Sequence, residues 1–263
     1  PSPPNDAFHR PESGVQVTEQ ILFEHGARMN SCSRVIVALD FESADQAAQL
    51  VKQLGVSGTF YKVGLQLLTA EGPSVVRELV ANGKDVFLDL KLLEIPNSVA
   101  GAVAAAGKLG VSMVTVHASG GSAVLSAAVK AARPFPKLKI LALTVITSMR
   151  DQDLLEVGVN APVQEQVVRL ARLALDAGCH GVVASPQEAR VLSEILPGNM
   201  LIVTPGTQLA GDAKNDQART ATPGEAVRAG ATHLVIGRSI SRSPDPAASF
   251  AAICAQVTEA AAQ

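Results

Sequence analysis

Val86-Phe-Leu-Asp89-Leu-Lys91-Leu-Leu-Glu94-Ile-Pro96-Asn97-Ser98 decides how this chain is read. An apolar run reaches a point where it carries an Asp and a Lys two residues apart. On a β-strand, residues i and i+2 share a face. Phe87, Asp89 and Lys91 are therefore expected to point one way, and Val86, Leu88 and Leu90 the other. A second carboxylate, Glu94, follows just before Pro96, which is expected to end the strand. An acid–base–acid cluster at a strand end carries a large desolvation penalty. Folds keep such clusters mainly where chemistry uses them. The plain alternative is a charged strand end exposed to water, but that does not call for these residue types at these offsets.

Working outward, the same kind of segment recurs. Short β-branched or apolar runs begin near Val35, Phe60, Val86, Met113, Leu138, Gly181, Leu201 and His233. Between most of them lie stretches with helical periodicity, such as 44–54, 73–82, 98–109 and 121–132. Gly55, Gly83, Gly110, Gly178 and Gly230 stand where glycines close helices. Eight strand–helix repeats over about 230 residues match a (β/α)8 barrel, the TIM barrel. The rival is a doubly wound open sheet. It needs a glycine-rich turn after the first strand, and Val35-Ile-Val-Ala-Leu-Asp40-Phe has none. The sequence thus divides into an N-terminal extension, 1–30, and one barrel domain, 31–263. Residues 1–13 hold four prolines and are expected to be disordered. Residues 14–30 are expected to form a short outer helix.

Composition supports an α/β layer fold. Hydrophobic residues make up 47% of the 263, with no Trp and one Tyr, so Ala, Val, Leu and Ile supply the core. A net charge of −2 argues against nucleic acid or an anionic membrane as the main partner. No apolar stretch is long enough to span a bilayer, and no signal peptide is visible. A cytoplasmic protein is expected. Cys32, Cys179 and Cys254 form no metal or redox pattern and read as reduced thiols. His25, His180 and His233 share no ligand spacing, so no metal is expected.

In such barrels catalytic residues collect at the C-terminal ends of the strands. Here those ends carry Asp40, Lys62, Asp89 with Lys91, His117 with Ser119, Thr147, Thr204 and Arg238. Gly237-Arg238-Ser239 follows the last strand, the usual phosphate position. Glycine admits backbone N–H groups to the anion, and the guanidinium offers a fork of donors. The polar loop 204–222 reads as a lid, with Gln208 and Gln217 as donors to a phosphate or a base edge. His117 is expected to be a hydrogen-bonded structural residue.

These residues resemble a known family, orotidine 5′-monophosphate decarboxylase. The likeness runs from about Val35 to the last helix. It rests on Val37-Ala-Leu-Asp40, Tyr61-Lys62-Val-Gly64, Phe87-Leu-Asp89-Leu-Lys91-Leu-Leu-Glu94-Ile-Pro96-Asn97, Val116-His117-Ala-Ser-Gly-Gly121, Leu143-Thr-Val-Ile-Thr147, Val203-Thr-Pro-Gly206, Asp216-Gln217 and Gly237-Arg238-Ser239. The resemblance implies decarboxylation of orotidine 5′-monophosphate to UMP without metal or organic cofactor. It implies that Asp40 and Lys62 hold the ribose hydroxyls. Lys62, Asp89, Lys91 and Glu94 would form an alternating charge array, with Lys91 protonating C6. Ser98 and Thr147 would contact substrate, Thr147 at the base edge. Gln208, Gln217, Gly237 and Arg238 would serve the phosphate end. It also implies a homodimer in which Glu94 reaches the partner's site.

The chain departs from the family pattern in four places. Glu94 stands where Asp is usual, Leu93 where His is usual, Gln208 where Arg is frequent, and Ser98 where Thr is common. Two other functions stay open at this point. One is a magnesium-dependent sugar-phosphate decarboxylase or synthase of the same superfamily, which also uses an Asp-x-Lys-x-x-acid strand. The other is a UMP-binding barrel without turnover.

Overall fold

The computed structural model describes residues 32–210 and 220–263. The expectations for the extension 1–30, and Gln217 within the lid, lie outside the described residues.

Eight parallel strands close into a barrel in sequence order. They are β1 (Val35–Ala38), β2 (Phe60–Gly64), β3 (Asp85–Leu92), β4 (Met113–His117), β5 (Lys139–Leu143), β6 (Gly181–Val183), β7 (Leu201–Thr204) and β8 (His233–Ile236). Pairing of Val35 to Leu234 and Val37 to Ile236 seals the last seam. The helices follow in chain order: α1 (Ala44–Leu54), α2 (Leu65–Glu71), α3 (Ser74–Ala81), α4 (Pro96–Leu109), α5 (Ser122–Ala132), α6 (Asp151–Glu156), α7 (Val163–Asp176), α8 (Pro186–Ile195), α9 (Pro223–Arg228), α10 (Arg238–Ser241) and α11 (Pro246–Ala261).

Local chemistry sets the helix ends. The Ser43 side chain caps α1 by accepting from the Gln46 N–H, and Ala47, Leu50 and Leu54 form its buried stripe. Pro96 does not end β3, which stops at Leu92; it opens α4 in the first turn, where its missing N–H is harmless. Ser98 is therefore inside the first turn of that helix rather than at its start. The five glycines expected to close helices all take positive φ. Gly107 is needed for a different reason: a Cβ there would run into the Phe135 ring.

Alternation along the strands builds two apolar layers. Ile36, Phe60, Phe87, Met113, Leu141, Leu143, Val183, Val203 and Val235 point into the barrel and fill it. Val35, Val37, Val63, Val86, Leu88, Val114 and Ile140 point outward against the helices. The inward positions one step further along β2, β3 and β4 are Lys62, Asp89 and Thr115, so the polar layer sits directly on the apolar plug.

β3 breaks the regular ladder at this level. Phe87 pairs with Met113 and Leu88 with Val114, but the next pair is Leu92 with Val116. Asp89, Leu90 and Lys91 thus stand opposite the single residue Thr115. Within this bulge Lys91 has φ +50, the one positive φ among described non-glycine residues. The simple two-residue alternation expected for Asp89 and Lys91 is therefore interrupted. The two side chains still converge because the backbone turns between them.

Candidate active site

Four side chains, one just beyond β1, one on β2 and two on β3, form an alternating line of charge. Lys62 Nζ donates to Asp40 Oδ1 at 2.8 Å and lies 3.8 Å from Asp89 Oδ2. Lys91 Nζ donates to the same Asp89 Oδ2 at 2.8 Å. Side-chain exposure falls from 58% at Asp40 to 11% at Lys62 and 13% at Asp89, then rises to 35% at Lys91. The buried middle is fixed by the protein, and the open ends face whatever enters the barrel mouth. Pairing inside a low-dielectric site strengthens each of these contacts.

The backbone makes room for this line. A Cβ on Gly64 would lie 3.0 Å from Lys62 Nζ and 3.4 Å from Asp40 Oδ1. Gly237, which opens α10, lies against the end of β1. A Cβ there would be 3.5 Å from the Ala38 Cβ and 3.9 Å from Asp40 Oδ2. Gly237 thereby brings the start of α10, where Arg238 follows, to the rim at the end of β1. The loop after β7 is tied to the same rim. Thr207 Oγ1 donates to the Val235 carbonyl at 3.3 Å, the Leu209 N–H donates to Ser239 Oγ at 3.3 Å, and the Gln208 N–H donates to the Ala221 carbonyl at 3.1 Å.

His117 ends β4 and engages its own turn. Its Nδ1 accepts from the Ser119 N–H at 3.3 Å and lies 2.6 Å from Ser119 Oγ. Burial, and secondarily the Lys91 ammonium, hold its pKa below the ordinary histidine value. This fits the structural role expected for it. Thr147 is buried just beyond β5. Ser98 is exposed in the first turn of α4.

Glu94 is not part of this line. It is exposed, and its Oε1 accepts from the neighbouring Ile95 N–H at 2.5 Å. Among the described residues it makes no ion pair.

Thr115 was not singled out by sequence reasoning. It is fully buried, donates to Asp89 Oδ1 at 2.8 Å, and accepts from the Lys91 N–H at 2.9 Å. The usable signal was its place midway between inward-facing Met113 and His117 on a strand. Gly64 was noticed only as part of a motif, because its contribution is the space it leaves.

Fold and site together define the class: a (β/α)8-barrel enzyme whose charged centre lies at the C-terminal end of the strands. A sequence profile of the Orotidine 5'-phosphate decarboxylase / HUMPS family matches residues 33–253. The chain is 47% identical over 227 residues to orotidine 5'-phosphate decarboxylase of Idiomarina loihiensis, covering 86% of this chain and 98% of that protein. It is 49% identical over 228 residues to the enzyme of the same name from Halorhodospira halophila, with 86% and 97% covered. The crystal structure of orotidine 5'-phosphate decarboxylase from Lactobacillus acidophilus superposes with a TM-score of 0.76 at 36% identity, covering 85% of this chain and 98% of that one. The chain belongs to the Orotidine 5'-phosphate decarboxylase / HUMPS family.

Proposed function

We infer that this chain decarboxylates orotidine 5′-monophosphate to UMP, the decarboxylation step of pyrimidine biosynthesis. The relatives at 46–49% identity all bear that enzyme's name. The observation that carries the reading is the Asp40–Lys62–Asp89–Lys91 line, with its buried centre and open ends.

The chemistry asks for this arrangement. When the bond from C6 to the carboxylate breaks, CO₂ leaves and the electron pair stays on C6, with no adjacent carbonyl to take it. A fixed ammonium at Lys91 stabilises that pair and donates a proton from Nζ to C6. The neutral amine then regains a proton from solvent. Asp89 holds Lys91 in place. Its negative charge, next to the substrate's own carboxylate, disfavours the ground state more than the transition state.

Asp40 and Lys62 are assigned to the ribose hydroxyls, Ser98 and Thr147 to the substrate, with Thr147 at the base edge, and Gln208, Gln217, Gly237 and Arg238 to the phosphate end. Binding energy from the phosphate is available to lower the barrier at C6. No metal or organic cofactor takes part in this reading. Two ammonium groups and a hydroxyl already engage the Asp89 carboxylate, an arrangement that disfavours a divalent cation there.

The active unit in this reading is a homodimer, with Glu94 completing the partner's charge array. Leu93 and Ile95, which flank Glu94, are exposed, as are Leu65 and Ile146 shortly after β2 and β5. Exposed large apolar residues beside Glu94 support association there. No helix among the described residues is long and apolar enough to cross a membrane. The cytoplasm is the proposed location, and the free thiols of Cys32, Cys179 and Cys254 suit a reducing compartment.

The test follows loss of orotidine 5′-monophosphate absorbance by purified protein in EDTA. Turnover in EDTA is expected. Turnover only with added Mg²⁺ would replace this reading with the sugar-phosphate branch of the family. UMP binding without turnover would replace it with a binding protein.

A further inference from the structure

We propose that Thr115 is a positioning residue for the reaction, holding both Lys91 and Asp89 in their reactive arrangement through one hydroxyl. The inference rests on the assignment of Lys91 and Asp89 to the charge array.

In a regular parallel strand, backbone groups alternate between the two flanking strands: the Asp85 N–H bonds towards β2, and the Val86 carbonyl accepts from the β4 side. The bulge interrupts that alternation, with three residues of β3 opposite Thr115 alone. At this break the Lys91 N–H donates to a side chain, Thr115 Oγ1, at 2.9 Å. A lysine at φ +50 persists only where its surroundings over-determine it. This side-chain bond is the contact that pins its backbone.

The same hydroxyl has one proton, and it is committed to Asp89 Oδ1 at 2.8 Å. Asp89 Oδ2 receives Lys91 Nζ at 2.8 Å and faces Lys62 Nζ at 3.8 Å. The carboxylate is therefore held at both oxygens and cannot rotate about its terminal bond without breaking a contact. Thr115 is 0% exposed, so water does not readily substitute for it. Valine has nearly the same shape but offers neither the donor nor the acceptor. It would leave a buried N–H and a carboxylate oxygen without partners at once.

The hydroxyl does not face the barrel mouth as a binding group. Its loss should therefore act on the chemical step more than on substrate affinity. Thr115→Val, Thr115→Ala and Thr115→Ser are compared with wild type and with Lys91→Ala, with active sites counted by UMP titration. For Thr115→Val, kcat is expected to fall about tenfold to a hundredfold per active site, with KM changed less than about threefold. Thr115→Ser keeps the hydroxyl and is expected to restore kcat to within about threefold of wild type. Thr115→Ala, which relieves any crowding, is expected to resemble Thr115→Val. A wild-type kcat per active site in either hydroxyl-free variant, with Lys91→Ala inactive, would overturn the role of Thr115 alone. An active Lys91→Ala enzyme would instead remove the site assignment on which it rests.

Discussion

Lys91 donates to Asp89 across only two positions of the same strand, Nζ to Oδ2 at 2.8 Å, while the backbone of Lys91 itself sits at φ +50. A regular strand sends residues i and i+2 out side by side. The left-handed turn at Lys91 instead folds the longer side chain back over the shorter one. The ammonium stays partly open while the carboxylate beneath it is buried. Lys91→Ala is expected to lower kcat/KM by at least about 10²–10³-fold, the loss typical of one preorganised donor. UMP affinity should change far less. Steady-state kinetics beside UMP titration check the difference.

Glu94 makes no ion pair with the charge line of its own chain among the described residues, so in the proposed homodimer its action is expected in trans. Mixing Lys91→Ala with Glu94→Ala subunits, each nearly inactive alone, should restore activity. Random exchange makes half the dimers mixed, each with one intact site, giving roughly a quarter of wild-type activity in a two-fold dimer. No recovery above either parent would show that Glu94 works within its own chain or not at all. Glu94→Asp keeps the charge on a side chain one methylene shorter and is expected to raise kcat.

Gly64 leaves the space that the Asp40–Lys62 pair occupies. Its φ of −100 suits any residue, so the effect of Gly64→Ala is purely steric. The new methyl, 3.0 Å from Lys62 Nζ, forces the ammonium aside. Affinity for UMP should weaken about tenfold, as for a modest overpacking strain. Thermal stability should move little. Binding by calorimetry and a melting curve separate the two.

Gln208 is an uncharged residue on a loop tied to the rim beside Gly237. Gln208→Arg is expected to lower KM about three- to tenfold at low salt. The gain should shrink as ionic strength rises. A salt-independent improvement would indicate packing rather than charge.

His233 lies at the start of β8, edge-on to Phe60 with ring centroids 6.2 Å apart. Burial, and secondarily the Arg34 charge, push its pKa down to about 4. The native ring stays neutral between pH 6.5 and about 4 while the unfolded chain takes up a proton. Stability is therefore full above about pH 6.5 and falls as the solution is acidified towards pH 4, by about 3 kcal/mol from this residue. His233→Gln should flatten that slope in denaturant unfolding measured across this range.

Much of the barrel is legible in the chain because its signals are local. The eight strands begin within a residue or so of the expected positions. The helix over Ala44–Leu54 is bounded by a capping serine and a closing glycine that act over a few residues. The Asp-x-Lys pair, the strand-end lysine and the Gly-Arg-Ser turn are likewise visible as residue types at fixed spacing. Strand alternation further places Lys62 and Asp89 inside the barrel, since Phe60 and Phe87 must be buried.

Other features depend on partners far away in sequence, and only the tertiary structure decided them. The bulge that leaves Asp89, Leu90 and Lys91 opposite Thr115 is a property of the β3–β4 register, which no spacing within β3 encodes. Thr115 becomes informative only when Asp89, 26 residues earlier, lies against its hydroxyl. Gly64 and Gly237 matter for atoms they do not have, and that space exists only once Asp40 and Lys62 meet. Glu94 shows the same division. Its charge and its place after the strand are written in the sequence, but its turn away from Lys91 follows from how the loop leaves the barrel. Local propensities choose the elements, and closure of the barrel chooses which side chains touch.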